Sequence, residues 1–184
     1  MSIRISLVSH ATTAGLRAAR FAADDPLDDV GREKATAVSM PTAERVVSSP
    51  GRAARDTADA AGLEPLPEPL LTECSYGRWT GRRFEEVATQ EPDAVAQWMG
   101  DPTAAPHGGE PLAALQARVV SWLDQAEEGH TLAIAHPSII RAAVVHVLGA
   151  PFRAFWRIDI APLTLTDLRK DQGRWLLRAT GVPL

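Results

Sequence analysis

The sequence predicts an α/β protein, a three-layer sandwich in which a mostly parallel sheet carries helices on both faces. Short apolar segments typical of strands alternate with longer amphipathic segments typical of helices along most of the chain. The length of 184 residues matches one domain of ordinary size with a substantial buried core. We therefore expect residues 1–184 to form a single domain, and no internal repeat suggests another architecture.

Strands and helices alternate in the first half of the chain. Residues 3–8 alternate apolar and polar side chains and stop at a Ser-His pair, which predicts a strand with His10 at its carboxyl end. Gly62 follows a helical segment and is a typical residue after a helix end. The remaining predicted elements are a helix at 31–40, a strand at 45–48, a helix at 52–62 and a Pro-rich surface connection at 63–70.

A long amphipathic helix and a strongly apolar strand mark the second half. The strand at 131–135 ends at His136, and a helix at 138–149 follows it. The amphipathic helix at 110–129 places on one face the side chains of Leu112, Leu115, Val119, Trp122 and Leu123. The other predicted elements are short helices at 83–90 and 93–100 and strands at 156–170 and 174–180.

The composition excludes several classes of protein. The net charge is −4 without a basic block, which argues against nucleic-acid binding. No run approaches the ~18 apolar residues of a membrane span, and the amino terminus lacks the apolar segment of a secretory signal. The single Cys74 excludes an internal disulfide and fits a reducing compartment, so we predict a cytoplasmic protein without a membrane anchor.

Three polar segments fall at predicted carboxyl ends of strands: His10, the turn at 48–50, and His136. Such ends meet at one edge of a parallel sheet, where ligand sites are built. We expect the two imidazoles to lie within about 8 Å of each other, a span that one phosphoryl group bridges with hydrogen bonds of about 3 Å on each side. Arg52 and Arg55, directly after the turn, indicate an anion as the ligand.

Six segments, in order and with similar spacing, resemble the histidine phosphatase superfamily, whose fold is called phosphoglycerate mutase-like. The family's first strand ends in Arg-His-Gly, and its last motif reads Ser-His-Gly-Gly-Val-Ile-Arg. The corresponding segments here are Ser9-His10-Ala11, 24-DDPLDDVG-31, 48-SSPGRAARDTA-58, 71-LTECSYGRWTG-81, 108-GGEP-111 and 135-AHPSIIR-141. The resemblance covers residues 3 to about 150 and implies the same fold.

The resemblance also implies the catalytic residues. His10 corresponds to the nucleophile that becomes phosphohistidine, and His136 to the second histidine of the pocket. Glu73 corresponds to the acid that protonates the leaving oxygen and later activates water, although Glu85 and Glu86 also carry suitable carboxyl groups. The chemistry needs these residue types because a neutral imidazole is a nucleophile near neutral pH and a carboxyl group shuttles one proton.

The chain departs from the family where phosphate is bound. Ser9 and Ala53 stand where the family has its two phosphate-binding arginines, and Pro137 offers no N–H to an oxygen. Thr12 and Leu16 replace a glutamate and an asparagine of the family pattern. Charge-assisted donors are each worth about 2–4 kcal/mol in a transition state, so an uncompensated loss of two lowers the rate by about 10³-fold or more.

Other arginines are candidates to replace the missing ones. Arg52 starts a helix and can bend back, whereas Arg55 is expected in solvent. Arg17 and Arg20 follow the nucleophile, and Arg20-Phe21 resembles the family's Arg-Phe-Gln near the pocket entrance, while Arg141 is expected to be structural. The predicted substrate-binding residues are Ser9, Thr13, Arg20 and Arg52.

Two further features receive structural interpretations. The segment 107–110, His-Gly-Gly-Glu, has no additional ligand at a suitable spacing, so we predict a loop and no metal, and we predict no cofactor. The tryptophans are expected in the core, with Trp79 the best candidate for a pocket wall because it follows Glu73 closely.

Three functions agree with these residues. The first is a phosphomonoesterase that acts through phosphohistidine on a small phosphorylated molecule, with a weakened phosphate pocket. The second is a catalytically silent binding protein, and the third is an enzyme acting on a less anionic substrate. We favour the first, and we expect Ser9→Arg and Ala53→Arg together to raise activity by more than the sum of their separate effects.

Overall fold

The computed structural model describes residues 2–184, and its centre is a six-stranded sheet with strand order β3-β2-β4-β1-β5-β6. The first four of these strands are mutually parallel, whereas β5 is antiparallel to both of its neighbours. The sheet is therefore mostly parallel, as predicted. The strands are β1 (Ile3–Ser9), β2 (Arg45–Ser48), β3 (Leu66–Pro67), β4 (Gly129–Ala135), β5 (Thr164–Asp171) and β6 (Arg174–Pro183).

Helices connect the parallel strands and agree with the predicted elements to within a few residues at each end. The α-helices are α1 (Ala14–Arg17), α2 (Asp29–Ala37), α3 (Arg52–Ala60), α4 (Phe84–Gln90), α5 (Pro92–Gly100), α6 (Leu112–Asp124) and α7 (Pro137–Val147). Three 3-10 helices span Pro69–Leu71, Gly77–Trp79 and Phe152–Arg157. The short α1 and the short strand β3 were not predicted, because neither is long enough to show a period in the sequence.

Strand β4 shows why the fold has three layers. Successive side chains of a strand point to opposite faces of the sheet. Leu132 and Ile134 pack against Ala54 and Ala58 of α3 on one face. The intervening residues face a larger cluster that α5, α6 and α7 supply. Full burial of one leucine or isoleucine side chain contributes about 1.5–3 kcal/mol to the free energy of folding, so these contacts stabilise the packing of helices on both faces.

The predicted strand at 156–170 is wrong in its first half. The chain forms the 3-10 helix Phe152–Arg157, continues without regular structure, and enters β5 only at Thr164. Pro162 has no N–H for a sheet ladder, and Leu163 adopts a positive φ of 54°, which a strand does not allow. Alternating apolar residues in this segment therefore reflect packing rather than extended structure.

Candidate active site

Two histidines leave the sheet side by side. Strands β1 and β4 are parallel neighbours, and Ser9 pairs with Ala135, so the next residues, His10 and His136, lie at the same carboxyl edge. The His10 N–H donates to the Ala135 carbonyl over 3.0 Å and extends this pairing. The ring centroids are 5.0 Å apart and the rings are inclined by 68°. This separation is well inside the predicted limit of about 8 Å.

The surroundings of His10 favour a nucleophilic nitrogen. Nδ1 of His10 lies 2.7 Å from the carbonyl oxygen of Ala11. A carbonyl oxygen only accepts, so Nδ1 carries the proton and Nε2 keeps its lone pair. Burial, with a smaller contribution from His136, lowers the pKa of His10 to about 4. The imidazole is therefore neutral near neutral pH.

Glu73 lies against the second histidine. Its Oε2 is 3.5 Å from Nδ1 of His136, and its Oε1 accepts hydrogen bonds from the Cys74 N–H at 2.7 Å and from the Ser138 hydroxyl. Burial raises the pKa of Glu73, and burial with a smaller contribution from Arg118 lowers the pKa of His136 to about 4. Both shifts favour the uncharged forms of the two groups, so burial weakens the charge attraction between Glu73 and His136.

The turn after β2 approaches His136 from the other side. Nε2 of His136 is 2.9 Å from the Ser49 hydroxyl, which also accepts the Gly51 N–H over 3.1 Å. A β-carbon added at Gly51 would lie 2.9 Å from the same imidazole nitrogen, so this close approach requires glycine. The turn after β2 therefore lies beside His136 at one edge of the sheet, as predicted.

One cavity of about 220 Å³ contains His10, Glu73 and His136. Thr13 and Arg20, two of the four predicted substrate-binding residues, line it, and so does Ala53. Thr13 also caps α1, because its hydroxyl accepts the Leu16 N–H over 3.1 Å. These residues share one space with the two histidines, as the sequence predicts.

Ser9 and Arg52 lie outside this cavity, contrary to their predicted place in the substrate site. The Ser9 hydroxyl donates to the Ala161 carbonyl over 2.5 Å and accepts the Thr164 N–H over 3.0 Å, so it points towards the start of β5. Arg52 is exposed on α3, with Nε 4.0 Å from Asp56. The sequence could not indicate the direction of Ser9, because its partners are far away in the chain, whereas Arg52 lies beside Asp56 one turn along the same helix.

The arginines that do reach the cavity are held at backbone carbonyls. Arg20 donates to the Gly81 carbonyl over 3.3 Å, and Arg141 donates to the Ile158 carbonyl over 2.8 Å. The Arg141 guanidinium also lies 5.9 Å from the ring centre of Phe155. In these positions the two guanidinium groups do not form the pair of phosphate-binding arginines that the family pattern has.

Two other sequence candidates are elsewhere. Glu85 and Glu86 are exposed on α4, and Glu86 pairs with Arg82 over 3.0 Å, so Glu73 alone of the three carboxyl groups lies beside a histidine. Trp79 is fully buried in the core and does not line the cavity, so its predicted place in the pocket wall is wrong. Trp98 and Trp156 line the cavity instead.

Asp24 and Asp25 also line the cavity and were missed as site residues. Asp24 accepts the Arg52 N–H over 2.6 Å at the start of α3. The nearby Asp24 charge favours protonation of His136, although burial dominates and keeps that pKa low. The segment 24–31 was recognised as a family motif, but the motif did not show that its carboxylates face the histidines.

Thr57 links the nucleophile loop to α3. Its hydroxyl accepts the Ala11 N–H over 3.0 Å and donates to the Ala53 carbonyl over 2.7 Å. Both Ala11 and Thr57 are completely buried. The backbone that follows His10 is therefore fixed to the helix that carries Ala53.

Within residues 2–184, no group of three or more His, Cys, Asp or Glu side chains is arranged to hold a metal ion. None of the helices in this range has the length and apolar character needed to cross a membrane.

The segment 107–110 leads into α6, and Nδ1 of His107 accepts the Gly109 N–H over 2.9 Å.

Relatives of known activity match most of the chain. Phosphoserine phosphatase 1 of Hydrogenobacter thermophilus is 26% identical over 187 residues, which cover 94% of this chain and 89% of the relative. Glucosyl-3-phosphoglycerate phosphatase of Mycolicibacterium vanbaalenii is 33% identical over 147 residues, covering 70% and 65% of the two chains. These similar proteins are phosphatases.

Solved structures share the fold along nearly the whole chain. A mycobacterial glucosyl-3-phosphoglycerate phosphatase in complex with VO3 superposes with a TM-score of 0.83 at 26% identity, covering 98% of this chain and 99% of that one. A phosphoserine phosphatase mutant from Entamoeba histolytica gives a TM-score of 0.85 at 18% identity, covering 97% and 96%, and so shows the fold alone. The model of the histidine phosphatase superfamily (branch 1) matches residues 5–182, and this chain belongs to that family.

Proposed function

We propose that this protein hydrolyses phosphomonoesters through a phosphohistidine formed on His10. The observation that carries the proposal is the arrangement of the two imidazoles, whose ring centroids are 5.0 Å apart, with the carboxyl group of Glu73 beside His136 in the same cavity. This arrangement supplies a nucleophile and a proton donor without a metal ion or an organic cofactor. The family membership and the phosphatase relatives support the same reaction.

The first step transfers the phosphoryl group to the protein. Nε2 of His10 attacks phosphorus, and the bond from phosphorus to the ester oxygen breaks. The leaving oxygen takes the proton of Glu73, which becomes a carboxylate, and an alcohol departs. Burial makes both groups more suitable, since it lowers the pKa of His10 and raises the pKa of Glu73.

The second step regenerates the protein. A water molecule attacks phosphorus, and the Glu73 carboxylate accepts one of its protons. The bond from phosphorus to Nε2 of His10 breaks, and inorganic phosphate leaves. Glu73 ends protonated and His10 ends neutral, as both began, so each cycle consumes one water and one ester.

The phosphate pocket is proposed to be weaker than the family pattern. Ser9 points away from the cavity, and Ala53, at its edge, carries no charge. The carboxylate of Asp24 lies where an anion would approach α3. We therefore expect slow turnover of simple phosphomonoesters and weak inhibition by phosphate or vanadate, because little positive charge opposes the equatorial oxygens. Arg20 and Thr13 are the proposed substrate-binding residues that remain.

Rapid quenching tests the intermediate. Protein mixed with a radiolabelled phosphomonoester is stopped in alkaline detergent, because phosphohistidine survives base, and label retained on the protein is measured. We expect label on the unaltered protein and none on His10→Ala. Turnover without any trapped label, in a protein that hydrolyses the ester at the same rate after His10→Ala, would contradict the proposed nucleophile.

An enzyme acting on a less anionic substrate is the second candidate. This candidate is favoured by one observation: Asp24 and Asp25 line the cavity, and the two phosphate-binding arginines of the family pattern are absent. Calorimetric titration with vanadate separates the candidates. Binding of vanadate together with ester hydrolysis supports the phosphatase, whereas hydrolysis of uncharged esters without vanadate binding supports the alternative.

A further inference from the structure

The mouth of the cavity exposes large apolar side chains. Leu16 is 39% exposed and Phe84 is 40% exposed, and both line the cavity that holds His10. Trp156 lines the same cavity. We call Leu16, Phe84 and Trp156 the apolar wall. Water in contact with such surface is released when an apolar ligand covers it, which favours binding of such a ligand.

The apolar wall is held by backbone hydrogen bonds and is not a flexible loop surface. The Phe84 N–H donates to the Ala19 carbonyl over 2.9 Å, and the Phe21 N–H donates to the Arg82 carbonyl over the same distance. The segment after α1 is thereby joined to the start of α4. The backbone that carries Phe84 is held in place before a ligand arrives, which lowers the entropic cost of binding.

Aromatic rings continue from the wall into the core. Phe21 contacts Phe84 with ring centroids 6.0 Å apart and Tyr76 at 5.3 Å. Trp98 packs against Trp156 at 4.6 Å. The surface beside the cavity is therefore rich in aromatic rings, which pair favourably with a further aromatic ring.

The charges of the cavity disfavour an acidic leaving group. Asp24 and Asp25 line it, whereas Arg20 and Arg141 are engaged with backbone carbonyls. A carboxylate on the leaving group would be repelled by these two like charges, although the guanidinium groups of Arg20 and Arg141 line the same cavity. An uncharged apolar group meets no such repulsion.

The size of the cavity agrees with one ring. A cavity of about 150 Å³ lined by apolar side chains suffices to hold benzene in a protein core. The cavity here measures about 220 Å³ and opens to solvent beyond Leu16 and Phe84. It therefore accommodates a ring together with a phosphoryl group placed near His10.

We propose that the substrates are phosphomonoesters of aromatic or similarly apolar alcohols that carry no carboxylate, and that the apolar wall binds their leaving group. This inference rests on the proposed phosphatase activity and names its substrate class. Leu16 stands where the family pattern has asparagine, so this residue is expected to determine the preference.

The test compares esters whose alcohols leave with similar ease, so that binding rather than chemistry decides. kcat/KM is measured for 2-phenylethyl phosphate, glycerol 3-phosphate and 3-phosphoglycerate. We expect an advantage of at least about tenfold for 2-phenylethyl phosphate, the effect of covering one large apolar side chain. Equal values, or a preference for 3-phosphoglycerate, would overturn the inference.

The variant Leu16→Asn tests whether the apolar wall causes the preference for the aromatic ester. We expect the ratio of kcat/KM for 2-phenylethyl phosphate over glycerol 3-phosphate to fall by about tenfold in this variant. Leu148→Asn is the matched control, because Leu148 is 57% exposed after α7 and does not line the cavity. The control should keep the original ratio. An unchanged ratio in Leu16→Asn overturns the proposed role of the wall.

A binding measurement separates this inference from the proposed reaction. Dissociation constants for 2-phenylethyl phosphate and 3-phosphoglycerate are measured with His10→Ala by titration calorimetry. If the unaltered protein hydrolyses nothing but the variant still binds the aromatic ester at least about tenfold more tightly, the apolar preference stands and hydrolysis fails. If hydrolysis occurs and the two esters bind equally, the preference fails and the phosphatase stands.

Discussion

The two sides of the cavity differ in how their side chains are fixed. His10, Glu73 and His136, which we call the polar wall, are largely buried, and the side chain of each makes a hydrogen bond. The apolar wall leaves Leu16 and Phe84 39% and 40% exposed, and only their backbone is tied down. A substitution in the polar wall removes hydrogen bonds of the site, whereas a substitution in the apolar wall changes only the exposed surface that a ligand would contact. Chemistry and specificity are therefore expected to respond to different substitutions.

The largest effect is expected from the loss of His10, the proposed nucleophile. His10→Ala should lower kcat for any phosphomonoester by more than about 10³-fold, because no other group in the polar wall replaces the attacking nitrogen. Steady-state kinetics on 2-phenylethyl phosphate measures this. Arg55→Ala is the control, since Arg55 is exposed on α3 and lies outside the cavity. A His10→Ala protein of normal activity would remove the distinction between the walls.

Loss of the proton donor should have the next largest effect. Glu73→Gln keeps the shape of the side chain but cannot donate to the leaving oxygen, and we expect about 10²–10⁴-fold lower kcat for alkyl esters. An aryl ester has a better leaving group, so its rate of phosphohistidine formation in a single turnover should fall less. Similar losses of this rate for both kinds of ester would show that Glu73 does not act as the acid.

The pH profile tests the same assignment without relying on a single rate. The reactive His10 is neutral, so activity should rise as pH increases through its lowered pKa of about 4. The reactive Glu73 is protonated, so activity on alkyl esters should fall as pH increases through its raised pKa. Glu73→Gln should abolish the falling limb alone. Retention of that limb in the variant would assign it to another group.

The two positions that lack arginine should respond in opposite ways. Ala53→Arg places a charge at the cavity and should lower the inhibition constant of vanadate by about tenfold or more, the effect of one charge-assisted hydrogen bond. Ser9→Arg replaces a completely buried hydroxyl that bonds to Ala161 and Thr164, and should destabilise the protein by about 3 kcal/mol or more.

Thermal unfolding and vanadate inhibition of both single variants and the double variant decide this point. The sequence alone predicts that Ser9→Arg and Ala53→Arg together raise activity by more than the sum of their separate effects. The orientation of Ser9 changes this expectation. We now expect Ala53→Arg alone to give the gain and the double variant to be less stable. A stable double variant that exceeds both single variants would show that the segment before β5 rearranges to admit the side chain.

The smallest effect is expected from one carboxylate. Asp24→Asn keeps an oxygen that can accept the Arg52 N–H but removes the charge, and it should tighten phosphate binding by about two- to fivefold at low salt. The gain should shrink as salt is added, because screening already weakens the repulsion. Asp171→Asn, exposed at the end of β5, is the control for total charge. Equal effects of the two substitutions would exclude a local action of Asp24.

The sequence identified the polar wall well because its geometry follows from topology. Parallel strands that end in His10 and His136 had to place both imidazoles at one edge once β1 and β4 became neighbours. The helices were located because their apolar periods are long, as in α6. The family motif identified Glu73 among three candidate carboxyl groups, and the structure places it beside His136.

The apolar wall and the direction of Ser9 were not predictable from local patterns. Leu16 and Phe84 are far apart in the chain, and only the pairing of residues 19–21 with 81–84 brings them to one mouth. Ser9 points away because Ala161 and Thr164 supply its partners. The segment that leads to β5 was itself predicted as strand, so its contacts with Ser9 could not be foreseen.

The hydroxyl of Thr57 joins the backbone after His10 to α3, so we expect this part of the molecule to open slowly. The Ala11 amide hydrogen is buried against it, so its exchange with solvent requires separation of the nucleophile loop from α3. Thr57→Val would leave that amide without an acceptor, at a cost of about 1–3 kcal/mol. Deuterium would then enter at Ala11 faster than at the middle of β4, which would show that the loop loosens while the sheet stays closed.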